Sequence, residues 1–144
     1  MRGASLTRRV RFTATHRYWR PEWNEETNRA AFGMCAAPEP HGHHYTCDVT
    51  VGGELDQQKG MVVDLGILDR ILAREVVDPL NGRSLNDAIA EFQPGGQIPT
   101  CEELARIIAR RVAGALAVVA TRAKVQRVRV AEDDTLSATW TESA

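Results

Sequence analysis

Four stretches of apolar-polar alternation, two near each end of the chain, frame two long apolar stripes in its middle. This ordering restricts the fold more than any other feature of the sequence. Val10, Phe12 and Ala14 alternate with Arg9, Arg11 and Thr13, and the run closes near His16. Tyr45, Cys47, Val49 and Val51 alternate with Thr46, Asp48 and Thr50 before Gly52 and Gly53. Side chains two apart share one face of a strand, so each run describes a strand covered on one side, and the two are expected to pair as a hairpin. Val128 and Val130 alternate with Arg127 and Arg129, then Leu136, Ala138 and Trp140 with Ser137 and Thr139 after a turn at Asp133-Asp134, which gives a second hairpin. Between the hairpins, Asp64 is placed to cap a helix whose stripe is Leu65, Leu68, Ile71, Leu72 and Val76, with Pro79 at its far end. Thr100 and Glu103 fit a capping box, each side chain serving the other's backbone amide, ahead of a stripe of Leu104, Ile107, Ile108, Val112, Ala115 and Leu116. Residues 79 to 99, rich in Gly, Pro, Asn and Gln, read as a connection. The order β-β-α-α-β-β predicts an α+β fold, a four-stranded antiparallel sheet with two helices on one face.

A chain of 144 residues is expected to form one domain over 1–144. At this size about 70% of the unfolded surface can be buried, so disulfides are not needed. Cys35, Cys47 and Cys101 form no CxxC pair, and an odd count suits a reduced, cytoplasmic chain. The 18 basic and 19 acidic residues leave a net charge of −1 with no run of five like charges, which argues against nucleic acid or an anionic membrane surface as a partner. No apolar stretch follows the N-terminal charges and no long apolar run occurs later, so neither export nor a membrane span is expected.

All four histidines fall between positions 16 and 44, three of them in His41-Gly42-His43-His44. Along an extended strand His41 and His43 project to one face with α-carbons about 7 Å apart, while His44 points the other way. A His-x-His pair is common on polar surfaces; antiparallel pairing, which returns His16 beside it, is what favours a metal. Three imidazoles with one position open is the arrangement of catalytic zinc. The excursion between the two strands, residues 17 to 40, carries Tyr18, Trp19, Trp23 and Phe32, and a loop of that length in a small domain is read as functional. Asn24 is suited to cap a short helix over Glu25 to Phe32. Cys47, on an apolar strand face, and Cys101 read as buried small hydrophobes.

These residues resemble the 6-pyruvoyl-tetrahydropterin synthase and 6-carboxy-tetrahydropterin synthase family. The matching run is Phe12-x-Ala14-x-His16, Cys35 six residues before His41-Gly42-His43, Tyr45, Gly60-Met61-Val62-x-Asp64, Leu85-Asn86, Pro99-Thr100-x-Glu102 and Val128-x-Val130-x-Glu132, in order over nearly the whole chain. The resemblance implies a tunnelling fold, with trimers closing a twelve-stranded barrel and two trimers stacking as a hexamer. It also implies a zinc-dependent lyase acting on the side chain of a pterin such as 7,8-dihydroneopterin triphosphate, in a pocket at a subunit interface. Zinc ligands carry over to His16, His41 and His43, and the thiol that moves a proton on the substrate side chain to Cys35. Glu132 matches the carboxylate that pairs with the guanidine-like edge of the pterin, a two-point recognition of planar donors. Thr100 and Glu102 carry over as further substrate-binding residues, although a capping role alone explains Thr100.

The chain departs from the family at one catalytic element. Where the family has Leu-Asp-His-x-x-Leu-Asn, this sequence reads Leu80-Asn81-Gly82-Arg83-Ser84-Leu85-Asn86. Glycine cannot transfer a proton, and an amide cannot replace the carboxylate that orients an imidazole. His44 stands where the family has Asn. Two alternatives to the pterin lyase therefore stay open. One is a zinc enzyme that condenses an amine with an aldehyde, in the style of a Pictet-Spengler closure, with the aromatics of residues 18 to 23 sandwiching an aromatic amine. The other is an inactive, zinc-bound binding module.

Overall fold

The structure is a computed structural model, and it describes residues 2–119 and 122–143. Strand β1 (Gly3–His16) pairs antiparallel with β2 (His41–Glu54) over their whole length, from Gly3 opposite Glu54 to His16 opposite His41. Strand β4 (Lys124–Ala131) lies antiparallel on the other side of β2, and β5 (Ser137–Thr141) antiparallel on β4. The β2–β4 register shifts between Thr50 and Val51, where Gln126 is the extra residue of a bulge. The Gln126 side chain lies over Gly52, its amide nitrogen 2.0 Å from where a Cβ would be.

The four long strands are those expected. A fifth, β3 (Arg83–Ser84), runs parallel to β1 beside Ala14 and Thr15, so the sheet order is β3-β1-β2-β4-β5. Two residues carry no alternation, which is why periodicity does not reveal it. Side-chain and backbone groups just ahead of β3 dock it: Asn81 Oδ1 accepts from the Thr13 amide at 2.9 Å, and the Gly82 amide donates to the Thr13 carbonyl at 2.7 Å.

Helix α1 (Glu25–Phe32) begins at Asn24, whose side chain accepts from the Thr27 amide. Helix α2 (Leu65–Leu72) begins at Asp64 in the same way, with the Ile67 amide as donor. It widens into a π segment (Ala73–Val77) and continues as α3 (Asp78–Leu80). The Asp78 amide reaches back to Ala73, five residues, just before Pro79, which has no amide to give. The stretch from 79 to 99 is more ordered than a connection: it holds β3, α4 (Leu85–Ala88) and a 3₁₀ turn (Ala90–Phe92), which place Leu85, Ile89 and Phe92 in the core.

Helix α5 (Cys101–Val118) is capped by Thr100, whose side chain accepts from the Glu103 amide at 3.1 Å. The reciprocal half of the expected capping box is not formed. The Thr100 amide donates to the Ile98 carbonyl, and the Glu103 carboxylate pairs with Arg106 instead. Thr100→Ala is expected to lower stability by about 1 kcal/mol, read from urea unfolding midpoints, the typical loss for a single N-cap.

The stripes of α2 and α5 cover one face of the sheet, where Phe12, Ala14, Tyr45, Cys47, Val49, Val51, Val128 and Val130 are buried with Leu68, Ile71, Leu104, Ile107 and Val112. The opposite face is polar. Arg9 there grips Asp48 through two hydrogen bonds of 2.6 and 2.9 Å. That hydrogen bonding, aided by the charges of Arg9 and Arg129, holds the Asp48 carboxyl below its ordinary value against partial burial. A lowered carboxyl contributes stability that is present above the unfolded pKa of about 3.9 and disappears as pH falls through the lower folded value. Unfolding midpoints of wild type and Asp48→Asn should therefore differ at neutral pH and converge in acid. Among the described residues no helix is long and apolar enough to cross a membrane.

Candidate metal centre

The site forms where three strands end together on the helix-covered face of the sheet. His16 closes β1, His43 enters on β2 opposite Ala14, and Glu132 follows β4. One nitrogen from each histidine and one carboxylate oxygen lie within 4.8 Å of one another. The imidazoles are tilted, with ring centroids 4.8 Å apart, and Glu132 Oε2 is 2.9 Å from His43 Nε2 and 3.9 Å from His16 Nε2. Despite that proximity Oε2 has no aligned hydrogen bond among the described residues, and Glu132 is only 8% exposed. An unpartnered carboxylate oxygen in a buried site costs free energy unless a cation or a donor satisfies it.

One donor, His16, has the protonation a cation requires. His16 is completely buried, and burial, helped by the neighbouring His43 and His41, brings its pKa down to about 4, so it is a neutral imidazole at physiological pH. Its Nδ1 lies 2.8 Å from the Tyr45 hydroxyl, which leaves Nε2 to face Glu132. Burial raises the Glu132 carboxyl, opposed by His43 and reinforced by Asp133 and Glu102. His16, His43 and Glu132 thus form a group that could hold a metal ion.

The excursion after β1 folds over this group. Its 3₁₀ turn (Gly33–Ala36) brings Cys35 Sγ to 3.9 Å from His16 Nε2. Burial and the charge of Glu132 raise the Cys35 thiol, which therefore stays protonated while no cation is near. Arg17 and Asn86 anchor the start of the excursion, the Asn86 amide both donating to the Arg17 carbonyl and accepting from its N–H. Asn28, buried within α1, does the same for Arg20. The aromatics pack mainly on one another. Tyr18 lies against His16 at 4.7 Å and edge-on to Phe32, Trp23 stacks on Phe32 at 5.8 Å, and the Arg17 guanidinium covers Trp19.

Of the residues singled out in the sequence, His16, His43, Cys35 and Glu132 come together. His41 stands directly across from His16 and therefore shares its face, but its Nε2 is hydrogen-bonded to the Met34 carbonyl, and it is not part of the close group. His44 is exposed on the opposite face, as alternation requires. Glu102, in the first turn of α5, is exposed and acts on Glu132 only through its charge, while Thr100 is occupied as a cap. Cys47 is fully buried in the core and Cys101 nearly so. Asn81 and Gly82 sit at the other side of β1, tied to Thr13. Gly82 has φ of +74°, and nothing lies within 4 Å of where its Cβ would be. The contact between Tyr45 and His16 is absent from the sequence reading, since alternation marks Tyr45 only as a strand residue facing the core.

A mixed sheet layered on one face by helices, with two histidines, a carboxylate and a thiol gathered at its end, defines a domain with a candidate metal centre. The chain belongs to the 6-pyruvoyl tetrahydropterin synthase family, whose profile matches residues 5–143. It is 36% identical to the 6-pyruvoyl tetrahydrobiopterin synthase of Homo sapiens over 89 residues, 62% of this chain and 61% of that protein, so the match spans about three-fifths of the human protein's length. It is 33% identical to the protein of the same name from Poecilia reticulata over 111 residues, 77% of this chain and 74% of that one. Its fold matches the structure of Caenorhabditis elegans 6-pyruvoyl tetrahydropterin synthase with a TM-score of 0.88 at 24% identity, over 99% of this chain and 98% of the other.

Proposed function

We propose that this chain is a zinc-dependent enzyme that acts on the side chain of a pterin, with 7,8-dihydroneopterin triphosphate as the model substrate. The observation that carries this reading is the placement of the Cys35 thiol 3.9 Å from His16, beside a buried His-His-Glu group. A binding module has no need of a thiol at that position. His16, His41 and His43 are the residues assigned to hold the ion, with His41 leaving the Met34 carbonyl to do so. Bound there, a zinc ion would supply Lewis acidity toward the side-chain oxygens and favour the Cys35 thiolate against the burial and the Glu132 charge that raise it. Glu132 accepts from the guanidine-like edge of the heterocycle through two parallel hydrogen bonds, with Thr100 and Glu102 at the same end of α5 beside it. Cys35 then moves a proton on the side chain of the anchored substrate.

Cys35→Ala tests the assignment. Turnover of 7,8-dihydroneopterin triphosphate should fall by roughly 10²- to 10⁴-fold, the usual contribution of a positioned acid or base, while metal content stays at the wild-type level. Unchanged turnover would remove Cys35 from the chemistry.

The active form is proposed to be a trimer or hexamer. Along Gly3 to Phe12 β1 has no strand on its outer side among the described residues, and neither has β5. Exposed edges of this length are an aggregation hazard unless copies pair them. Light scattering at micromolar concentration should report an oligomer; a monomer would contradict the assembly.

A further inference from the structure

Tyr45 touches both histidines of the candidate metal centre. It is 1% exposed and sits two residues after His43 on the same face of β2. Its ring stacks on Phe12, the residue directly opposite, with centroids 5.1 Å apart and planes 12° from parallel. Ala14, between Phe12 and His16 on this face, offers only a methyl group, and the Tyr45 hydroxyl reaches past it to 2.8 Å from His16 Nδ1. The His43 ring meets Tyr45 edge to face at 5.9 Å and 78°. One aromatic side chain therefore fixes the orientation of one imidazole by a hydrogen bond and backs the other by packing.

A neutral imidazole carries one N–H, and only the nitrogen without it can donate a lone pair to a cation. If the Tyr45 hydroxyl accepts from Nδ1–H, Nε2 keeps its lone pair on the side of Glu132 and Cys35. If the hydroxyl donates to Nδ1 instead, the proton sits on Nε2 and His16 cannot ligate there. We infer that Tyr45 is a positioning residue for the metal: its hydroxyl oxygen accepts the Nδ1 proton of His16 and so selects the tautomer whose Nε2 binds the ion. Metal-ligating histidines commonly give their second N–H to such a partner, and losing it typically weakens metal binding 10- to 100-fold. The inference rests on the reading of His16 as a metal donor, and the experiment separates the two.

Zinc affinity is measured by competition with a chromophoric chelator for wild type, Tyr45→Phe, Phe12→Leu and His16→Ala, alongside thermal melts of the chelated proteins. Tyr45→Phe keeps the stacked ring and removes the oxygen, so zinc should bind roughly 10- to 100-fold more weakly, with a modest drop in the metal-free melt because His16 Nδ1 loses its buried partner. Phe12→Leu breaks the stack but leaves the hydroxyl, so the melt should fall while zinc affinity holds. Wild-type affinity in Tyr45→Phe, with zinc lost in His16→Ala, would overturn the role of Tyr45 and leave the metal site standing. Wild-type affinity in His16→Ala would overturn both. Nitrogen-15 shifts of the His16 ring in the zinc-loaded wild-type protein give a test that needs no variant: a protonated Nδ1 with Nε2 on the metal is expected, and the reverse assignment contradicts the inference.

Discussion

Replacing either His16 or His43 with alanine is expected to weaken zinc binding by more than the 10- to 100-fold that follows loss of an outer partner, because each removes a donor atom itself. The third donor is where the sequence and the geometry point to different side chains. Glu132 Oε2 lies 2.9 Å from His43 Nε2, while His41 is held at the Met34 carbonyl. His41 is nonetheless opposite His16 in the strand register, so its side chain leaves β2 on the same face as the group. With His41 as donor and Glu132 as pterin anchor, His41→Ala loses zinc as His16→Ala does, and Glu132→Gln keeps zinc but binds pterin poorly. Metal analysis showing full occupancy in His41→Ala, with zinc lost from Glu132→Gln, would transfer the third position to the carboxylate. His44→Ala should keep its zinc under either outcome, since His44 faces the other side of the sheet.

The second large effect concerns Asn81 and Gly82. Asn81→Asp with Gly82→His restores the acid-base pair of the family, and if the pocket still takes a pterin, turnover of 7,8-dihydroneopterin triphosphate should rise by roughly 10²- to 10⁴-fold. The surroundings permit the change. Asn81 Oδ1 accepts from the Thr13 amide and hydroxyl, which a carboxylate can also do, and there is open space around the Gly82 Cβ position. The cost is in the backbone, since φ of +74° suits glycine and disfavours a histidine by roughly 1–2 kcal/mol. The comparison therefore requires a double variant shown to fold and to bind zinc. Such a variant that gains pterin turnover refutes the amine-aldehyde condensation. One that gains none, while any native activity falls, points to a substrate that occupies the space the glycine opened.

Period-two alternation reveals the four long strands because one face of each meets the helices, and every buried residue on Phe12, Ala14, Tyr45, Cys47 and Val49 obeys it. It places His16, His41 and His43 on one face and His44 on the other for the same reason. The cap residues Asn24, Asp64 and Thr100 are legible because their side chains act on amides three residues ahead. The second half of the Thr100-Glu103 box fails because Arg106, one turn on, offers Glu103 a charged partner. Strand β3 and the turns over 85 to 92 are too short for any period to register, and their order comes from docking on Thr13 and from burial of Leu85, Ile89 and Phe92. At the site, the sequence supplies the donors but not the contacts around them. The His41 contact with Met34 and the stacking of Trp23 on Phe32 depend on how the 17 to 40 excursion folds back.

Whether the chain is a metal enzyme working on a pterin side chain is read out by incubating the zinc-loaded protein with 7,8-dihydroneopterin triphosphate and analysing the pterins by mass spectrometry. A pterin with an altered side chain should form with wild type, cease to form when zinc is chelated, and be nearly absent with Cys35→Ala. Recovery of the unchanged substrate from folded, oligomeric, fully zinc-loaded protein would contradict the proposed function.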